Sequence, residues 1–132
     1  METPEPFDTI ALPDGPSGLA PDGSAVRLLC KLEGGSMAHF TLDPGEVAAP
    51  VSHRTVEELW YILTGEGEMW RRQGEREEVT TLRTGVSLTI PLGTHFQFRN
   101  TGAEPLTFVL VTMPPWPGPD EAFAVEGHWK ND

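Results

Sequence analysis

The sequence predicts an all-β fold, and three observations carry that prediction. Glycine (14) and proline (13) make up about a fifth of the 132 residues, against roughly 12% in average proteins, so the chain is built of many short elements. Turn signals recur every eight to twelve residues from Ala25 onward, the spacing of a β-sandwich or barrel. No stretch keeps a 3.6-residue apolar period over three turns. The length suffices for one hydrophobic core but not two. An apolar fraction of 38%, with four Trp and six Phe, is too high for a disordered chain.

The elements follow in order. Residues 1–24 carry five prolines, five acids and no Lys or Arg. They read as an extended arm, either docked through Phe7, Ile10 and Leu12 or partly disordered. Val26–Leu32 is a strand ending in the Glu33-Gly34-Gly35-Ser36 turn, and Met37–Leu42 is the next, closed by Asp43-Pro44-Gly45. Val47–His53, Glu58–Leu63, Glu68–Arg72, Val79–Leu82, Gly85–Ile90, Phe96–Asn100 and Leu106–Met113 complete the series. Thr64-Gly65-Glu66-Gly67, Gln73-Gly74-Glu75 and Thr101-Gly102 are turns between them. The barrel is therefore placed at 25–113. The Pro-rich tail, 114–132, keeps Trp116, Phe123, Val125 and Trp129, and such large apolar groups predict packing on the barrel or on a partner subunit.

Charge narrows the partners. Nine Lys and Arg against twenty Asp and Glu give a formal net charge of −11, which repels nucleic acid and anionic membrane surfaces. Arg71, Arg72 and Arg76 are interleaved with Glu75, Glu77 and Glu78, as in a solvated hairpin tip. A single cysteine, Cys30, allows no intrachain disulfide. It reads as a small core residue, with no neighbouring base to activate it. The acidic first residues lack the layout of a signal peptide, and no apolar run reaches membrane-span length. The expectation is a cytoplasmic protein.

Alternation sorts the strand faces. Glu58, Trp60 and Ile62 share one face of their strand, and Leu59, Tyr61 and Leu63 the other, which predicts burial on both sides. A carboxylate beside Trp and Ile is costly to bury alone, and His53, sharing a face with Val51, is its nearest candidate partner. Phe96, Phe98 and Asn100 take the interior face of their strand, opposite His95, Gln97 and Arg99. Leu106–Met113 is nearly continuously apolar, implying cover on both sides by the arm or a second subunit. Trp60, Phe96, Phe98 and Met69 or Trp70 are candidates for an aromatic wall. His39 and His128 read as surface groups, and Arg54 as solvated or in an interface.

These residues resemble the cupin family. Its first motif appears as Gly45, Val51-Ser52-His53, Glu58 and Gly65, and its second as Gly85, Pro91-Leu92-Gly93, Phe96 and Asn100, every interval in place. The resemblance implies a double-stranded β-helix, or jelly-roll barrel, commonly dimeric. It also implies a divalent metal held by three histidines and a glutamate. His53 and Glu58 match ligand positions, but Val51 and Phe96 stand where the other two histidines would be. Neither replacement has a lone pair to donate, and two protein ligands fall short of the usual three or four. His95, one residue from the lost position, alternates to the opposite face unless a bulge shifts it.

The expectation is a small-molecule-binding barrel whose metal site is degenerate, with His53, Glu58, Trp60 and Phe96 contacting the ligand. Any metal would rest on His53 and Glu58. The alternatives are a metal-dependent dioxygenase or isomerase with a reduced ligand set, a metal-free isomerase using His53 as base, and a filled-barrel structural homodimer.

Overall fold

A computed structural model describes residues 5–131. The part of the predicted arm formed by residues 1–4, and the last residue of the predicted tail, lie outside the described residues. Two β-sheets face each other. The first runs in the order β1 (Gly18–Leu19), β2 (Ala25–Leu32), β3 (Gly35–Leu42), β10 (Leu106–Met113), β5 (Glu57–Thr64) and β8 (Ser87–Ile90). The second runs β11 (Ala122–Ala124), β4 (Val51–His53), β9 (His95–Asn100), β6 (Glu66–Gln73) and β7 (Arg76–Arg83). Neighbouring strands pair antiparallel. Among the described residues there is no helix, and so none long and apolar enough to cross a membrane.

The predicted strands recur at nearly their expected positions, with three differences. Val47–Pro50 does not join a strand: Val47 makes one isolated bridge to Arg99 and β4 begins at Val51. Two short strands, β1 and β11, come from the Pro-rich ends, where two or three residues are too few to show alternation. A bulge between Leu28 and Lys31 interrupts the β2–β3 register, breaking the period in a strand that reads as continuous.

The core lies between the sheets, made of the inward positions Leu42, Trp60, Ile62, Met69, Leu82, Ile90, Phe96, Phe98, Leu106, Phe108 and Leu110. Trp60 stacks on Phe108 with ring centroids 4.1 Å apart, and Phe98 meets both rings edge-on. One end of this barrel is pinned shut. Asn100 donates through Nδ2 to the carbonyls of Leu42 and Glu104 and accepts from Gly102 N–H. Gly65, at φ +86°, passes so close to the 105–106 backbone that a Cβ would sit 2.6 Å from the Pro105 oxygen, which explains glycine at that motif position.

The outer faces differ. That of the five-stranded sheet is covered by the chain's own tail. Gln97, fully buried, donates to the carbonyls of Ala48 and Trp129 and accepts from the N–H groups of His128 and Trp129. Arg99 lies over the Trp129 ring, and His128 stacks on Trp70. The outer face of the six-stranded sheet is covered in part by the arm at Arg27 and His39, but it is left open over β5 in the single chain. Burial of β5 on both sides is therefore corrected: Leu59 is 50% and Tyr61 47% exposed. β10 likewise alternates, with Val109, Val111 and Met113 only partly buried.

Other single-residue expectations also change. His39 is buried rather than at the surface, its Nδ1 without a partner. Burial and the neighbouring Arg27 guanidinium hold its imidazole below the usual range. Cys30 is half-buried beside the Asp8 carbonyl, outside the core. Phe7 and Leu12 do not dock but stand exposed, while Ile10 is partly covered and borders the cavity. The arm is held instead by polar contacts: Arg27 donates to the carbonyls of Pro13 and Asp14, and Ser17 N–H to that of Val26.

Candidate functional site

The inward row of β10 changes character along its length. Leu106 pairs with Leu42, and Phe108 lies between Phe40 and Ile62. Leu110 lies between Ala38 and Trp60, and Thr112 between Ser36 and Glu58. The interior thus passes from wholly apolar to polar within four inward positions. At the polar end the sheets do not close, and a cavity of about 1110 Å³ opens there. Strands β2, β3, β4, β5 and β10 wall it, with the arm and Trp116 at its rim. Ser36 and Thr112 share a hydroxyl–hydroxyl hydrogen bond, and Trp116 N–H donates to Ser36 Oγ, fixing the tail at the mouth.

Three of the four expected ligand contacts, His53, Glu58 and Trp60, line this cavity. Phe96 stands behind them, 2% exposed, with its ring edge-on to His53 at 5.2 Å and to Trp60 at 6.1 Å. Phe98 and Met69 belong to the packed core, and Trp70 lies under His128 on the other face of β6, so the aromatic wall reduces to Trp60 with Phe40 and Trp116, Phe108 being fully buried between Phe40 and Trp60. β9 pairs with β6 without a register shift, with Arg72 opposite His95 and Arg71 opposite Phe96. His95 therefore stays on the opposite face from Phe96.

Glu58 does not pair with His53. Its Oε1 accepts the indole N–H of Trp60, two residues along the same face, at 3.0 Å. Burial pushes the Glu58 carboxyl up to about 8, against the Trp60 hydrogen bond, and the neighbouring Asp22 and Glu121 carboxyls add to the rise. The group is a neutral acid at pH 7. With Oε1 occupied by the indole, the carboxyl hydrogen belongs on Oε2, as a donor for whatever enters the cavity. His53 sits edge-on between the Phe96 and Trp116 rings, its Nδ1 buried without a partner. Burial lowers its basicity, opposed in part by Glu121, so it too is neutral.

Two further carboxyls carry no recognisable signal in the sequence. Glu121, from the tail, accepts from the N–H groups of Thr55 and Val56 and the Thr55 hydroxyl. Burial raises its carboxyl, but these hydrogen bonds outweigh burial and leave it below the usual range. Asp22 lines the cavity and is raised by burial, against hydrogen bonds from Ser24. Pro21-Asp22-Gly23-Ser24 reads as an ordinary turn, so its sequence gives no sign that the carboxyl faces a cavity.

The profile of the cupin domain family matches residues 38–112, more than half of the chain. The chain belongs to the cupin family. A search of curated protein sequences finds no match. Among solved structures, this cupin is similar to the capsular polysaccharide assembling protein CapF of Staphylococcus aureus, with TM-score 0.70, 15% identity, 78% of this chain and 32% of that one. It is similar also to oxalate decarboxylase of Bacillus subtilis, with TM-score 0.70, 17% identity, 85% of this chain and 30% of that one. An uncharacterised double-stranded β-helix protein of Klebsiella pneumoniae matches at TM-score 0.65 and 23% identity, over 78% of this chain and 84% of that one. The chain spans about a third of the length of CapF and of oxalate decarboxylase. At these identities the likeness establishes the double-stranded β-helix.

The residues present do not fit the family's metal. Val51 pairs directly with Phe96 across β4 and β9, so two absent ligands are replaced by one apolar contact. Glu58 Oε1 is engaged by the Trp60 indole. Among the described residues no three His, Cys, Asp or Glu side chains come together as a metal cage. The ligand count fails on the donors themselves.

Proposed function

We propose that this cupin binds a small molecule in the open half of its barrel, over Trp60 and against Glu58 and His53. One observation carries the reading: a cavity of about 1110 Å³, mostly apolar in its lining, ends on two neutral polar groups, Glu58 and His53. Small-molecule sites have this composition, an apolar wall with a few convergent polar groups. Phe96 contributes from behind, holding His53 and Trp60 in place. The homodimer expected from the family resemblance has its best surface on the outer face of the six-stranded sheet, where Met37, Leu59 and Tyr61 are exposed.

The test is a titration of the full chain with N-phenyl-1-naphthylamine, a neutral apolar fluorophore. The wild type saturates at one dye per chain. Ala38→Trp, which plugs the wall opposite Trp60 across β10, weakens the dye at least tenfold with an unchanged melting temperature. Unsaturable binding, or full affinity in the folded plugged variant, would overturn the reading.

A further inference from the structure

The registers of β2, β3, β10 and β5 sort one wall of the cavity into rows that run across the strands. One row is Leu28, Ala38, Leu110 and Trp60, and the next is Lys31, Ser36, Thr112 and Glu58. All of these side chains line the cavity. The bulge in β2 completes the second row: unbroken alternation from Leu28 would set Cys30 opposite Ser36, and the shift sets Lys31 there instead. With neighbouring strands about 4.8 Å apart, each row spans roughly 14 Å from β5 to β2. At Leu28 the sheet ends, since β1 pairs only with Ala25 and Val26. The apolar row accordingly grades from buried Trp60 to Leu28, 61% exposed. Beyond Trp60 it is aliphatic, a strip that suits an extended chain.

The polar row has hydrogen-bonding capacity left at its inner end. Glu58 accepts from Trp60 through Oε1, which leaves Oε2. Ser36 and Thr112 share one hydrogen bond, so one of their two hydroxyl hydrogens is not used in it. Thr112 stands directly opposite Glu58, which sets their Cβ atoms about 5 Å apart, within reach of a single group. His53, 6% exposed and with its Nδ1 unpartnered, lines the same cavity from β4.

We propose that the ligand is a linear, medium-chain aliphatic alcohol, its hydroxyl between Thr112 and Glu58 and its chain along Leu110, Ala38 and Leu28 to the edge of the sheet. This deepens the small-molecule reading and rests on it. A hydroxyl both donates and accepts, so one group satisfies both side chains. A carboxylate in its place would be desolvated beside Glu58 without a base. Among the described residues Lys31, at the far end of the row, is the one Lys or Arg in the lining.

Hexan-1-ol, octan-1-ol, decan-1-ol and decanoate, each titrated against the full chain by calorimetry, test this. Affinity should rise about threefold per methylene across the alcohols, and decanoate should bind at least tenfold more weakly than decan-1-ol. Leu28→Asp, at an exposed position, should weaken decan-1-ol at least fivefold and leave hexan-1-ol, whose chain ends short of Leu28, unchanged. Alcohol affinities independent of length, decanoate as tight as decan-1-ol, or equal losses for both alcohols in Leu28→Asp each overturn the alcohol assignment. No alcohol binding overturns it too, and saturable dye binding in the same protein then leaves the cavity reading standing. Absence of both alcohol and dye binding overturns both. The wild-type series needs no variant, so a folding defect in Leu28→Asp cannot obscure the outcome.

Discussion

Leu106 and Phe108 face Leu42 and Ile62 in a half of the barrel where these side chains are almost wholly buried, while Leu110 and Thr112, further along the same strand, face Trp60 and Glu58 beside open space. One strand thus serves two kinds of interior. In the closed half, Phe98, Met69, Leu82 and Ile62 are 0% exposed and the Asn100 hydrogen bonds tie the strand ends together. In the open half, a carboxyl, an imidazole and two hydroxyls occupy inward positions that would hold apolar side chains if packing were their only purpose. The tight packing is in the first half, while the second buries a carboxyl at a desolvation cost beside a mostly apolar cavity.

The largest effect that separates the halves is a cavity made in the closed one. Phe98→Ala removes a ring that touches Trp60 and Phe108 and should cost about 3–5 kcal/mol in urea unfolding. A cost under about 1 kcal/mol would show that the closed half is not the stabilising one.

Glu58→Gln should act in the opposite direction and depend on pH. The folded-state carboxyl is raised from 4.5 to about 8, so between those values the native state holds a proton that the unfolded state has lost. Wild-type stability therefore falls as pH rises through this window and levels off above it. Glutamine keeps an acceptor for the Trp60 N–H and has no charge to bury. The variant should gain on the order of 3 kcal/mol over wild type at pH 9, the gain vanishing near pH 4.5. A pH-independent difference between the two unfolding curves would remove Glu58 as a buried acid.

The smallest effect on stability belongs to the exposed sheet face. Leu59→Glu with Tyr61→Glu should change unfolding free energy by less than about 0.5 kcal/mol, since both side chains are half-exposed. If that face joins two copies, light scattering will show the wild type as a dimer and the double variant as a monomer. A wild-type monomer, or a variant that stays dimeric, would remove this surface as the interface.

The closed half is legible in the sequence and the open half only in part. Alternation puts Trp60, Ile62, Phe96 and Phe98 inside, and the Gly and Asn spacing of the two motifs locates the corners, because these signals are local and periodic. Val51 and Phe96 show that the metal ligands are lost. The Val51–Phe96 contact that replaces them depends on pairing between distant strands, which the sequence does not display. Asp22 and Glu121 escape because each comes from an arm with no periodicity to orient it. Their neighbours, Glu58 and His53, are brought to them by the fold alone. Glu58 is recognisable as needing a partner, yet that partner is Trp60 on its own strand rather than His53. Leu59 and Tyr61 mislead for a related reason: apolar side chains on both faces of β5 predict two covers, and the chain itself supplies one.

The most direct test of the open-half account is the indole region of a two-dimensional NMR spectrum, recorded while N-phenyl-1-naphthylamine is titrated into the full chain. Trp60 and Trp116 border the cavity, whereas Trp70 lies under His128 on the far side of the second sheet. The account predicts saturable shifts at Trp60 and Trp116 and an unmoved Trp70 signal. A dye that shifts Trp70 while Trp60 stays fixed would contradict it.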